Sequence, residues 1–263
     1  MLENITLGII QGITEWLPIS SGAALLWVSV NIFGSEAVLK EQITHILFLH
    51  LGTFLAAIVY FRTEVAELTK SLFKYKKSEI NTKKVLKFLI ISSVISGVIA
   101  GVMLALIKEA EGKFVLQTKG INVLVVILLV ITAIVHLTVK KKGVRKEGNL
   151  DLKDSVWAGF AQGISVLPGL SRSGLTTATL LLRKLDDVVS LRLSFIMSLP
   201  IVLVGNIILN INASFELENL WGLVFSFIFG ILTIHMLLKV AKKINFGKFV
   251  LFFAVLVLIS TFI

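Results

Sequence analysis

The chain has 263 residues, 56% of them hydrophobic, with a mean hydropathy of +0.93, a formal net charge of +10 and no cysteine. The lack of cysteine excludes disulfide frameworks, thiol catalysis and zinc–thiolate centres, and the histidines His45, His50, His136 and His235 form no HxxxH or HxH pair, so a zinc hydrolase is not expected. The positive charge clusters at the ends of apolar runs, where membrane topology puts it, and does not form a nucleic-acid-binding patch.

Met1 and Leu2 lead directly into an apolar stretch without a cationic run or an A-x-A site, so no removable signal peptide is expected. Residues 5–33 are apolar but interrupted by Pro18 and several Gly and Ser. Ordinary spans follow at residues 44–61, 88–107 and 121–139, a second interrupted segment lies at 156–182, and further spans lie at 193–209, 219–238 and 249–263. Each span approaches the ~20 apolar residues needed to cross a bilayer. Interrupted segments persist at membrane depth only where protein covers them or they line a cavity. The two are therefore read as re-entrant helical hairpins in an all-α polytopic membrane protein. Residues 62–87 hold eight Lys/Arg, 140–153 hold six and 239–248 hold four, so these loops are expected in the cytoplasm. Threading the spans puts both termini outside, with the first hairpin entering from outside and the second from inside.

The two interrupted segments resemble each other. Gly8-x-x-Gln11-Gly12-Ile13-Thr14 matches Gly159-x-x-Gln162-Gly163-Ile164-Ser165, and Pro18-x-x-Ser21 matches Pro168-x-x-Ser171. The chain thus divides into residues 1–139 and 140–263, each a hairpin plus three spans. Two such units in opposite orientation make an inverted-topology repeat, which places a site near the midplane, where half-helix N-termini face anionic groups.

Charge inside a bilayer is costly and marks function. Glu15 lies in the first hairpin and Arg172 in the second. Gln11 and Glu15 are four apart and share a helix face. Ser171-Arg172-Ser173-Gly174, followed by Thr176, supplies hydroxyls, a glycine-freed backbone and a guanidinium suited to phosphate. Ser20 and Ser21 stand at the tip of the first hairpin, where capping the outgoing half-helix is the simpler role for Ser20. A carboxylate beside a phosphate cradle is repulsive unless a cation bridges them. Gln11 and Glu15 offer oxygen ligands of the kind Mg²⁺ or Ca²⁺ takes. A structural Glu15–Arg172 ion pair is the plainer alternative. The chemistry points to a membrane-embedded phosphate or diphosphate lipid with a polyprenyl tail.

On these motifs the sequence resembles the undecaprenyl-diphosphate phosphatase (bacitracin-resistance) family. Gln11-Gly-Ile-Thr-Glu15-Trp16-Leu17-Pro18-Ile19-Ser20-Ser21 is similar to its first motif and Pro168 to Thr176 to its second; His50-Leu51-Gly52-Thr53 and Ser194-Phe195 to Pro200 resemble shorter ones. The resemblance implies a metal-dependent plasma-membrane hydrolase, its site opening outward. It would release phosphate from a polyprenyl diphosphate, recycling the carrier lipid for peptidoglycan and other cell-wall synthesis. It assigns catalysis to Glu15, Ser21 and Arg172, substrate binding to Gln11, Ser20, Ser171, Ser173, Gly174 and Thr176, and metal to Gln11 and Glu15. The expected partners are the lipid and the bilayer, with a homodimer allowed and no nucleic acid. In one respect the chain departs: the family's histidine after the first motif is replaced near Ala24. A polyprenyl-phosphate transporter or flippase that has lost hydrolysis is therefore the alternative.

Overall fold

The computed structural model describes residues 1–35, 39–111, 126–127, 130–135, 137–138, 143–167, 170–210, 217–240, 251–252 and 255. The first interrupted segment forms α1 (Leu2–Thr14) and α2 (Ser21–Asn31). Between them Pro18 disfavours helix at Leu17, and Ser20, in extended conformation, restarts it by accepting a hydrogen bond from Ala23 N at 3.3 Å. α3 (Leu39–Tyr60), α4 (Arg62–Phe73) and the long α5 (Ile80–Glu111) complete the first part of the chain. The second interrupted segment forms α6 (Leu152–Ile164) and α7 (Arg172–Leu182). Asp151 and Asp154 cap α6 reciprocally at 2.9 Å, and Ser171 caps α7 by accepting from Gly174 N at 3.1 Å. Both hairpins have the same plan: a helix of 13 residues, a break, then a serine-capped helix of 11. α8 (Asp187–Asn210) and α9 (Asn219–Val240) follow.

Residues 80–106, 187–208 and 219–240 are helices long and apolar enough to cross a membrane. α3 and α4 pass the same test together as one bent pair, turned by 87°. Residues 130–135 are helical within the span expected at 121–139; most of 249–263 lies outside the described residues. On α5, Ile90, Val94, Val98 and Val102 form an exposed apolar stripe at four-residue spacing, as do Leu220, Val224, Ile228 and Leu232 on α9. Such stripes suit lipid and would be a liability in water. The chain is a polytopic helical membrane protein.

The cytoplasmic loop expected at 62–87 contains α4. Its inner seam, Phe61, Leu68 and Ser71, is buried against the body, and this seam holds it helical despite its charged outer face.

Hairpin helices pack on spans distant in sequence: α1 on α9, and α6 on α5. Glycine permits both. A Cβ on Gly8 would stand 2.2 Å from the Gly222 carbonyl oxygen, and one on Gly159 would stand 2.7 Å from that of Ser92. At the end carrying the 143–151 segment, Asp154 is clamped by Arg145 at 2.7 Å and Arg183 at 2.8 Å, while Arg192 pairs with Glu147. This network fixes the entry to α6 and thus the second hairpin.

Candidate active site

Gln11 and Glu15 occupy the end of α1, one turn apart and buried. Glu15 follows the last helical residue, and its N–H still donates to the Gln11 carbonyl at 3.0 Å, so the carboxylate keeps helical register and points to the hairpin break. Arg172 opens α7, and its Nη2 donates to Glu15 Oε1 in an ion pair joining the two hairpins across 157 positions. The other carboxylate oxygen, Oε2, accepts from Gln11 Nε2 at 3.0 Å and Ser21 Oγ at 2.7 Å, and His50 Nε2 lies 3.1 Å away, where a protonated imidazole pairs with it.

Arg172 is held on several sides. Its guanidinium carbon lies 5.7 Å from the centroid of Trp16, whose ring packs 4.8 Å from that of Phe195. Nη1 donates to the Ser194 carbonyl at 3.4 Å. Thr176 Oγ1 donates to the Arg172 carbonyl at 2.7 Å and lies 2.5 Å from Ser194 Oγ. Ser173 Oγ donates to the Leu17 carbonyl at 2.7 Å, and Ser171 Oγ reaches that oxygen at 3.4 Å. These two serines clasp the break of the first hairpin. Gly174 supplies its N–H to Ser171, and Ser20 stands at the cap of α2. Pro168 and Gly169, part of the motif, lie outside the described residues.

The fold thus brings together Gln11, Glu15, Ser21 and Arg172, with Ser171, Ser173, Gly174 and Thr176 around the start of α7. Two residues that the sequence did not place in the site join them. Trp16 lies beneath Arg172; its sequence signal is its place in the first motif, next to Glu15. His50 arrives from α3, with Nδ1 held by the Ile46 carbonyl at 2.7 Å and Nε2 turned to Glu15. Its signal was the short His50-Leu51-Gly52-Thr53 run, in which Gly52 lets α3 approach α9.

A divalent cation finds a fitting ligand atom here. Gln11 Oε1 is buried without a hydrogen-bond partner, and an amide oxygen is a ligand type such ions take. Glu15 is the neighbouring carboxylate, its oxygens facing Arg172, Gln11, Ser21 and His50. Among the described residues no group of three or more His, Asp or Glu is placed to hold a metal.

The site lies within a match, over residues 4–259, to the family described as bacitracin resistance protein BacA. The chain belongs to the BacA family. A protein of Methanococcoides burtonii named undecaprenyl-diphosphatase is 39% identical over 268 residues, covering 99% of this chain and 98% of that one. Proteins of the same name from Thermosipho melanesiensis and Haloarcula marismortui are each 32% identical, covering 94% of this chain and 92% of theirs. Both long motifs lie within the matched residues and converge on the Glu15–Arg172 pair. Ala24, where the resemblance leads one to expect a histidine, is buried in α2, and the His50 imidazole reaches the Glu15 carboxylate from α3.

Proposed function

We propose that the chain is a membrane phosphatase that releases phosphate from polyprenyl (undecaprenyl) diphosphate and returns the monophosphate carrier lipid used in cell-wall and glycan synthesis. One observation carries this: in a BacA-family chain, Ser21, His50 and Arg172 meet at the buried Glu15 carboxylate. The relatives' names favour hydrolysis over the transporter alternative. That alternative also loses its main motive, since the altered first motif does not leave the site without a histidine.

Arg172 rests on Glu15, but a terminal phosphate can match the guanidinium with two oxygens at once. Passage of Arg172 to the phosphate leaves Glu15 with Ser21, whose hydroxyl already donates to Oε2 at 2.7 Å. Glu15 takes that proton as Ser21 Oγ, or a water held in its place, attacks the terminal phosphorus in line. The bond to the bridging oxygen breaks and the lipid monophosphate departs. Attack by water gives orthophosphate directly; attack by Ser21 leaves a phosphoserine, which a second water hydrolyses. Arg172 and the N–H groups opening α7 stabilise the charge that develops on the equatorial oxygens. Trp16, Ser194 and Thr176 hold Arg172 in place. A divalent cation, Mg²⁺ or Ca²⁺, is part of the proposal: Gln11 and Glu15 would hold it, and it would neutralise phosphate charge.

The proposal extends to the architecture. Two inverted halves, 1–139 and 140–263, are supported by the equal hairpin lengths and by reciprocal packing, since the first hairpin rests on a span of the second half and the second on a span of the first. The site opens to the outer face, on the bias of Lys and Arg among the loops. Labelling of single introduced cysteines in intact cells tests that orientation, and light scattering on the purified protein tests for a homodimer.

The central experiment is phosphate release from undecaprenyl diphosphate by purified protein with Mg²⁺ or Ca²⁺. The wild type turns over, and Arg172→Ala falls by roughly 10²–10³, the usual cost of removing one transition-state donor. A folded wild type that frees no phosphate sinks the proposal.

A further inference from the structure

α4 and the turn that follows it form a surface that the active site does not use. α4 leaves α3 at 87°, so where α3 crosses the bilayer, α4 runs along its surface. Its inner seam is occupied, but its last turn exposes Leu72 at 55% and Phe73 at 85%, and Tyr75 beyond it is exposed at 49%. Lys70, Lys74, Lys76 and Lys77 are interleaved with these apolar groups and exposed. Their ammonium groups meet no acidic partner among the described residues.

This surface is built rather than loose. Lys83 Nζ donates to the Lys76 carbonyl at 3.0 Å and lies 5.7 Å from the Tyr75 ring centroid. Ser78 Oγ donates to the Lys74 carbonyl at 3.2 Å. The turn is thereby pinned from behind, with its free lysines directed outward. Lys84 Nζ donates to the Gly148 carbonyl at 2.5 Å, tying the surface to the 143–151 segment, which adds exposed Val144 and Lys146.

A partner must supply negative charge to the lysines and an apolar medium to Leu72 and Phe73. A second copy of the same surface would set lysine against lysine. A bilayer leaflet containing acidic phospholipid offers both requirements at the depth where α4 is already held. We propose that α4 and the turn Tyr75–Lys77 bind anionic phospholipid headgroups, with Leu72 and Phe73 inserted at the headgroup–acyl boundary. This does not depend on the phosphatase reading.

The chain has no cysteine, so Phe73→Cys gives a single labelling site for an environment-sensitive fluorophore. Labelled full-length protein is reconstituted into phosphatidylcholine vesicles with and without phosphatidylglycerol. The expected result is quenching of the label by bromine carried on the lipid chains, stronger with phosphatidylglycerol present. In parallel, unlabelled protein is purified from a mixed-lipid membrane and its retained phospholipid is weighed by mass spectrometry. Wild type retains phosphatidylglycerol over phosphatidylcholine. Lys74→Gln, Lys76→Gln and Lys77→Gln combined weaken that preference by about 10²-fold, at roughly fivefold per lysine near an anionic surface. Equal retention of the two lipids by wild type overturns the proposal. So does a label open to aqueous quenchers in both vesicle types, which would point to a soluble acidic partner instead. Because the lysines are exposed and outside the active site, the triple variant keeps the wild-type thermal unfolding midpoint in detergent, which reports that it is folded.

Discussion

Replacing His50 with alanine tests whether α3 supplies what the first motif lacks. His50 Nε2 is one of three groups on Glu15 Oε2, a donor to it when the imidazole is protonated, and Gln11 and Ser21 remain when it is removed. Loss of a hydrogen bond to a charged group alone costs about 1.5–3 kcal/mol, roughly ten- to a hundredfold. Loss of a group that also handles protons costs about 10²–10⁴ in rate. We therefore expect kcat for phosphate release to fall at least ~10²-fold. KM should move by less than about threefold, because Arg172 and the start of α7 are untouched. Adding Ala24→His to His50→Ala restores an imidazole one turn from Ser21 and is expected to recover about tenfold, the lower end of what such a group contributes. Steady-state kinetics on detergent-purified protein measures all three. A His50→Ala enzyme whose kcat stays within about threefold of wild type refutes the role given to this histidine.

Other substitutions probe the frame. Trp16→Leu removes the ring under Arg172 and should raise KM about three- to thirtyfold, the span of a cation–π contact of about 0.5–2 kcal/mol, while Trp16→Phe keeps most of the effect; identical KM for both would show that the ring only fills space. Ser173→Ala frees the Leu17 carbonyl from its closest clasp and is expected to lower the unfolding midpoint along with kcat; if only KM rises, Ser173 contacts phosphate directly. Gly8→Ala drives a Cβ against the Gly222 carbonyl and should cost about 1–3 kcal/mol by thermal unfolding. Gly22→Ala, with open space at its Cβ, should cost nothing, and an equal loss in both would remove the packing explanation. Asp154→Ala leaves Arg145 and Arg183 with Asp151 as their remaining carboxylate and is expected to cost about 1–3 kcal/mol, read as a lowered unfolding midpoint.

The hairpins and the Glu15–Arg172 pair were legible in the sequence because each broke a rule of its surroundings: proline and glycine within apolar runs, charge at membrane depth. The same logic could not find His50 at the site. A histidine in a span has many innocent explanations, and its partner is settled by how α3 packs, not by spacing. α4 was hidden because its buried seam is short and its neighbours are charged, so composition read as loop. The clasp by Ser171 and Ser173 was invisible for another reason. Its acceptor is the carbonyl of Leu17, which every residue has and no pattern marks.

The packing of α1 on α9 has a consequence for biogenesis. Asn4 and Asn219 hydrogen-bond at 3.1 Å across 215 positions, so α1 finds its resting place only once α9 has been made. During translation α1 and α2 emerge with a buried carboxylate, a capped break and glycine-lined faces but no counterpart. The insertion machinery, or a provisional neighbour, must shelter them until α9 has been made. A truncated product ending before α9 has its first hairpin exposed to lipid, and quality-control proteases would meet it as a loose end.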